Sequence, residues 1–183
     1  MTNRDHDRTM EVLELTIAED EALLNEGGAL VMLEELAKDA DLARAMLTGY
    51  LEWVEETGVD AGLTIIGDEM IVEAPFLTAE QVGWDQDIVL AGKMDVRVMR
   101  DIDGARLFMD HKSVGSLTEP LKTLPMDEQM LHYHLLEYLD HIMSGSQEPM
   151  SHGGLYNMLR KVKRTARASP ACFERVEVPH NQS

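Results

Sequence analysis

One cysteine, Cys172, stands among 183 residues. That excludes an internal disulfide, an iron–sulfur cluster and any zinc knuckle built from several cysteines. A reducing cytoplasm is the expected setting. Long apolar runs are missing too. No stretch approaches the roughly 20 apolar residues of a membrane span, so no membrane partner is expected. The opening MTNRDHDRTM has no signal-type apolar region. Internal repeats and low-complexity tracts are absent. Positive charge is scarce, with 16 Lys+Arg against 34 Asp+Glu and a formal net charge of −18. Taken as a sum, that argues against a nucleic-acid partner.

What is present changes that reading. The apolar fraction of 44% supports a real core, and the length suits one compact domain. The charge is unevenly spread. Residues 1–80 carry 20 acidic and 4 basic side chains, and the rest carries 14 and 12. RKVKRTAR, from Arg160 to Arg167, packs five bases into eight residues. The acidic front reads first as solvated helix faces.

Periodicity divides the chain near residue 57. Before it, TMEVLELTIAEDEALL reads as a helix broken at Gly27-Gly28. Leu36, Ala40, Ala43, Leu47, Tyr50 and Val54 recur at three- and four-residue steps, predicting a second, amphipathic helix that stops at Gly58. Residues 1–57 thus form an acidic helical segment and 58–183 the main core. In that core, LTIIGDEMIVEAPF reads as a strand, or as a hairpin turning near Gly67-Asp68. DIVLAGKMDVRVMR and ARLFMDHK read as strands joined at Asp103-Gly104. SVGSLTEPLKTLP reads as a polar loop, MDEQMLHYHLLEYLDHIM as a helix and SGSQEPMSHGG as a loop. LYNMLRKV and CFERVEV read as closing strands. The expected fold is α/β, a mixed sheet flanked by helices.

Three charges stand out in the strand pair. Asp110 and Lys112 share one face by strand alternation. Antiparallel pairing brings Asp95 near Asp110, given one or two residues of register slack or a bulge. Two facing carboxylates repel unless one takes a proton or a cation joins them. Mg²⁺ is held by one or two carboxylates plus waters and phosphate oxygens, and Lys112 beside it would act on a water or on developing phosphate charge. The plainer alternative is an ordinary cross-strand salt bridge to Lys112. In the following helix Gln129, Tyr133 and Leu136 share one face. Leu131, Leu135, Tyr138 and Ile142 form a nearly opposite stripe, expected to be the core side. His132 and His134 lie two apart and cannot share a zinc.

The ordered set GKMDVRV, DGARLFMDHKS and DEQMLHYHL resembles the PD-(D/E)XK nuclease superfamily, and within it the RecB-like and CRISPR-associated exonucleases and their phage-encoded relatives. Gly92 and Asp95 match the G-x-x-D strand, Asp110 and Lys112 the D/E-x-K strand, and Gln129 and Tyr133 the Q-x-x-x-Y helix. The resemblance runs from about residue 45 to residue 180. It implies a restriction-endonuclease-like fold and a Mg²⁺- or Mn²⁺-dependent deoxyribonuclease. Asp95, Asp110 and the His111 carbonyl would be metal ligands. Lys112 would assist the water, and Gln129 and Tyr133 would position a DNA strand. Arg160, Lys161, Lys163, Arg164 and Arg167 would track the phosphate backbone of single-stranded DNA or a duplex end. A solvated edge strand is the plainer reading of those bases.

The front departs from that family. His6 lies in a polar tail, and Glu34, Glu52 and Glu55 lack the flanking pattern of an upstream ligand helix. Glu73 is the substitute to consider, although a structural role suits it better. A second reading follows: a non-catalytic DNA- or protein-binding or regulatory protein on the same scaffold, whose acidic helices dock a basic protein partner or imitate DNA.

Overall fold

The computed structural model describes residues 6–124, 127–145, 150–163 and 172–179. Two helices come first. α1, His6–Glu26, and α2, Leu30–Thr57, fold back on each other across Gly28, whose φ of 67° requires glycine. Ile17 and Ala40 are buried, and Arg44 grips Glu14 through two bonds of 2.6 and 2.7 Å. α2 stops at Gly58, whose left-handed backbone lets its N–H reach the Val54 carbonyl at 2.9 Å. Tyr50 and Val54 are buried in a cluster with Cys172 and Phe173, and Leu47 is half-buried.

The rest is the expected α/β arrangement, a five-stranded mixed sheet flanked by helices. β1 is Leu63–Leu77, β2 Ile88–Arg100, β3 Ala105–Val114, β4 Ser151–Arg160 and β5 Phe173–Pro179. They lie side by side in sequence order. β1, β2 and β3 form an antiparallel meander, β3 and β4 pair in parallel, and β4 and β5 are antiparallel. The parallel step needs a crossover, which contains α4, Thr118–Thr123, and α5, Glu128–Ser144. Among the described residues, no helix is long and apolar enough to cross a membrane.

Local departures from the sequence reading have local causes. β1 does not turn at Gly67-Asp68. It slips register between Ile65 and Gly67 and runs on as one strand. A short helix, α3, Ala79–Val82, opens the segment before β2 with a full capping box between Thr78 and Gln81. α4 occupies part of the expected polar loop. β4 begins at Ser151, inside the expected SGSQEPMSHGG loop. Its Gly154 is there for packing. A Cβ at that position would lie 2.5 Å from the Phe108 ring and 2.6 Å from Met130 Sδ.

The stripe expected to be the core side of α5 faces outward. Leu131, Leu135, Tyr138 and Ile142 are exposed, whereas Met130, Tyr133, His134 and Leu136 are buried. Two contacts set this rotation. Gly92 lets α5 approach β2 so closely that a Cβ there would meet Leu136 Cδ1 at 2.7 Å and the Tyr133 ring at 3.3 Å. Arg97 of β2 also makes a nearly buried ion pair with Glu137 of α5.

Gly154→Ala should therefore destabilise the protein by about 1–3 kcal/mol through overpacking. That corresponds to a melting temperature lower by roughly 2–10 °C. Gly92→Ala should have the same sign. An unchanged melting temperature for Gly154→Ala would show that β4 does not pass beneath Phe108 and Met130 at this distance.

Candidate active site

The β2–β3 ladder runs from Arg100 paired with Ala105 to Val96 paired with Met109. One further step of that register sets Asp95 opposite Asp110, with no slip needed. The sequence reading asked for slack because it centred the turn on Asp103-Gly104. The turn spans Asp101 to Gly104, which moves its centre and removes the discrepancy. The ladder ends at Val96, where the strands part. β2 continues with β1, while β3 continues with β4 through Val114. Asp95 and Asp110 sit in this fork.

The two carboxylates have opposite electrostatic settings. Asp95 Oδ2 accepts from the His111 backbone N–H at 3.0 Å and lies 3.7 Å from His111 Nδ1. The His111 ring and then the His111 amide, against the opposing effect of partial burial, hold the Asp95 carboxyl below the usual range. At 3.7 Å the ring contact is long, so the amide bond is the firmer anchor. Asp110 is buried. Burial first, and then the Asp95 charge, push its carboxyl upward. Its Oδ1 accepts from Gln129 Nε2 at 3.1 Å. Its Oδ2 is buried without a hydrogen-bond partner among the described residues. An orphaned carboxylate oxygen beside a second carboxylate is where a cation would relieve the most strain.

Each acid thus has one oxygen committed to the protein. Asp95 Oδ1 and Asp110 Oδ2 accept no hydrogen bond from the described residues. Such a pair suits a small hard ion that takes single oxygens and keeps its waters. Among the described residues, no group of three or more His, Cys, Asp or Glu side chains is arranged to hold a metal ion. Glu73 faces outward from β1, on the side opposite the buried Val72 and Ala74.

Gln129 and Tyr133 come to the acids, as their spacing suggested. Gln129 Nε2 lies 2.8 Å from the Tyr133 hydroxyl, which donates to the Lys93 carbonyl at 2.7 Å. Here they hold Asp110 and β2 in place. Lys112 turns elsewhere, donating to Asp127 Oδ2 at 3.0 Å with its ammonium 4.7 Å from the Tyr156 ring centre. Neither Asp95 nor Asp110 makes the simple cross-strand salt bridge to Lys112.

Asp127 and Tyr156 escaped the sequence reading. Asp127 caps α5 by accepting from the Met130 N–H at 3.1 Å, and it accepts from the Tyr156 hydroxyl at 2.7 Å. Burial opposes its ionisation, but Tyr156 and Lys112 outweigh this and keep its carboxyl low. The cap signal was legible, since Asp127 is the second residue of the expected helix and α5 begins one residue later, at Glu128. Its second role was not, because it depends on the parallel β3–β4 pairing. Asp127→Ala should cost about 2–4 kcal/mol, from a lost cap and a stranded Tyr156 hydroxyl. Asp127→Asn keeps the one oxygen that accepts from both the Met130 N–H and the Tyr156 hydroxyl, loses only the Lys112 contact, and should recover most of that in thermal melts. Equal losses for the two variants would mean that charge, not the cap, dominates.

The His111 side chain points to the other face of β3, as strand alternation requires. Its Nε2 lies 3.2 Å from the Tyr50 hydroxyl and 3.1 Å from Asn157 Nδ2.

The basic segment is only partly gathered. Arg160 pairs with Val114, four steps past the Asp110–Tyr156 pair, so it stands about 13 Å along the sheet from the acids. Lys161 is exposed. Lys163 turns to α2 and pairs with Asp41 at 3.2 Å. Arg164 and Arg167 lie outside the described residues. No protein-family model and no curated protein matches the chain.

Proposed function

We propose that this protein is a divalent-metal-dependent deoxyribonuclease of PD-(D/E)XK type, an exonuclease serving DNA processing, repair or phage recombination in the cytoplasm. The observation that carries the reading is the orphaned Asp110 oxygen in the strand fork opposite Asp95. Asp95, Asp110 and the His111 carbonyl would hold Mg²⁺ or Mn²⁺, which when bound supplies a nucleophile from water and polarises the phosphate. Gln129 orients Asp110 and Tyr133 braces the strand carrying Asp95. Lys112 offsets phosphate charge when it leaves Asp127 for the substrate. Arg160 and Lys161, with Arg164 and Arg167 beyond them, supply the backbone-tracking charge that the acidic front lacks. The acidic α1–α2 pair remains available for a basic protein partner.

A second reading, a non-catalytic scaffold, draws on one observation. Lys112 is already engaged by Asp127, away from the carboxylates. End-labelled single-stranded and duplex DNA, incubated with Mn²⁺ or Mg²⁺ and then with EDTA, separates the two. Nucleotide release that EDTA stops is the expected result. DNA that is bound but never cut would leave the scaffold reading standing.

A further inference from the structure

Behind the fork runs a buried polar chain that the proposed chemistry does not use. Arg175 of β5 is anchored in the turn after α2, donating to Asp60 Oδ1 at 2.6 Å and to the Val59 carbonyl at 2.7 Å. The Asp60 and Arg175 side chains are each only 10% exposed. The remaining arm of Arg175, Nε, donates to Asn157 Oδ1 at 2.6 Å. Asn157 is completely buried. A guanidinium only donates, so this bond settles which way the Asn157 amide points: Oδ1 toward Arg175 and the NH₂ toward His111. That NH₂ lies 3.1 Å from His111 Nε2. An N–H on Nε2 would meet it head-on. Nε2 must therefore carry the lone pair, with the Tyr50 hydroxyl 3.2 Å away. The ring proton belongs on Nδ1, the atom that faces Asp95 Oδ2 at 3.7 Å.

We infer that His111 is a positioning residue: the Asp60–Arg175–Asn157 chain fixes its ring as the Nδ1–H tautomer, which turns the N–H pole of the ring toward Asp95 Oδ2 at 3.7 Å, beside the backbone N–H that anchors the same oxygen at 3.0 Å. Ordinary packing does not require this. A buried Asn and a nearly buried ion pair are costly unless every group is matched, and an apolar set would fill the same space. The chain also makes α2 part of the site, because Tyr50 completes the surroundings of the ring. The inference rests on the proposed metal site only for what Asp95 does once oriented.

The test reads the ring and Asp95 without metal, then adds Mn²⁺. Long-range ¹H–¹⁵N correlation on the full chain should find His111 protonated on Nδ1 and not on Nε2. Asn157→Asp keeps the Arg175 bond but offers His111 an acceptor. It should place a proton on Nε2, move the Asp95 ¹³Cγ resonance, and weaken Mn²⁺ binding by calorimetry about 10-fold or more. His111→Gln, which puts no donor where Nδ1 stood, is the second variant should the first misfold. It should likewise move the Asp95 resonance. A wild-type ring protonated on Nε2 would overturn the inference. So would a ring that switches, or is removed, while the Asp95 resonance stays in place. Wild-type protein that binds no Mn²⁺ but passes both resonance tests would overturn the metal reading and leave the positioning role intact.

Discussion

Asp110→Asn should melt at a higher temperature than the wild type in metal-free buffer at neutral pH, and at a lower one in saturating Mn²⁺. The first half follows from burial. Asp110 carries a buried oxygen with no partner among the described residues, and both burial and the Asp95 charge raise its carboxyl. A carboxyl raised in the folded state keeps its proton to a higher pH than in the unfolded chain. Its contribution to stability is therefore full below the unfolded value of about 3.9 and is lost as pH rises through the folded value. At neutral pH the ionised group is a net cost. Asparagine keeps an acceptor for Gln129 and removes the charge. The expected gain is about 1–2 kcal/mol, or roughly 2–8 °C. The second half is linkage. A ligand at 100 times its dissociation constant stabilises the wild type by about 2.7 kcal/mol. The variant, missing one donor, gains little. Thermal melts at pH 7, with EDTA and with Mn²⁺, give the four values needed. Equal Mn²⁺-induced shifts in both proteins would rule out a cation at this carboxylate.

Lys112→Ala should lower nuclease turnover by about 10²–10³-fold while leaving the Mn²⁺-induced stabilisation in place, as expected for a group that meets developing charge and does not hold the ion. The fold should survive. Asp127 keeps its Met130 and Tyr156 donors, and the Tyr156 ring loses only the Lys112 ammonium 4.7 Å from its centre. The pairing of melting curve and turnover makes the result decisive. Turnover within about tenfold of the wild type would remove Lys112 from the chemistry and would imply that Asp127 keeps it as a purely structural partner.

The order of elements was legible because strong local signals marked it. Gly27-Gly28 and Gly58 bounded the helices, and a change of period announced the strands. The acid pair was legible to within one or two residues, because a hairpin turn sets the register and only the centre of the turn was misjudged. Two kinds of information were out of reach. Amphipathicity could not choose which face of α5 is buried, since Leu131, Leu135, Tyr138 and Ile142 make as apolar a stripe as the buried one. The choice was made by the absence of a side chain at Gly92 and by the charge of Arg97, both on another strand. The partners of Lys112 and of the His111 ring were equally hidden. Asp127, Tyr156, Asn157 and Arg175 reach them only through the parallel β3–β4 pairing and the antiparallel β5, which no local pattern specifies. The Thr78–Gln81 capping box was legible and was passed over.

The fork has an evolutionary consequence. Where the β2–β3 ladder stops, the His111 N–H loses its strand partner, and the Asp95 carboxylate takes that partner's place. Asp95 is thus the last rung of the sheet, and its loss would strand a backbone donor at about 1–3 kcal/mol. Asp110 is the reverse, a residue whose replacement should strengthen the fold. A lineage released from selection for chemistry would therefore shed Asp110 early and keep Asp95 long. This chain carries both, with Gln129 steadying the expensive one.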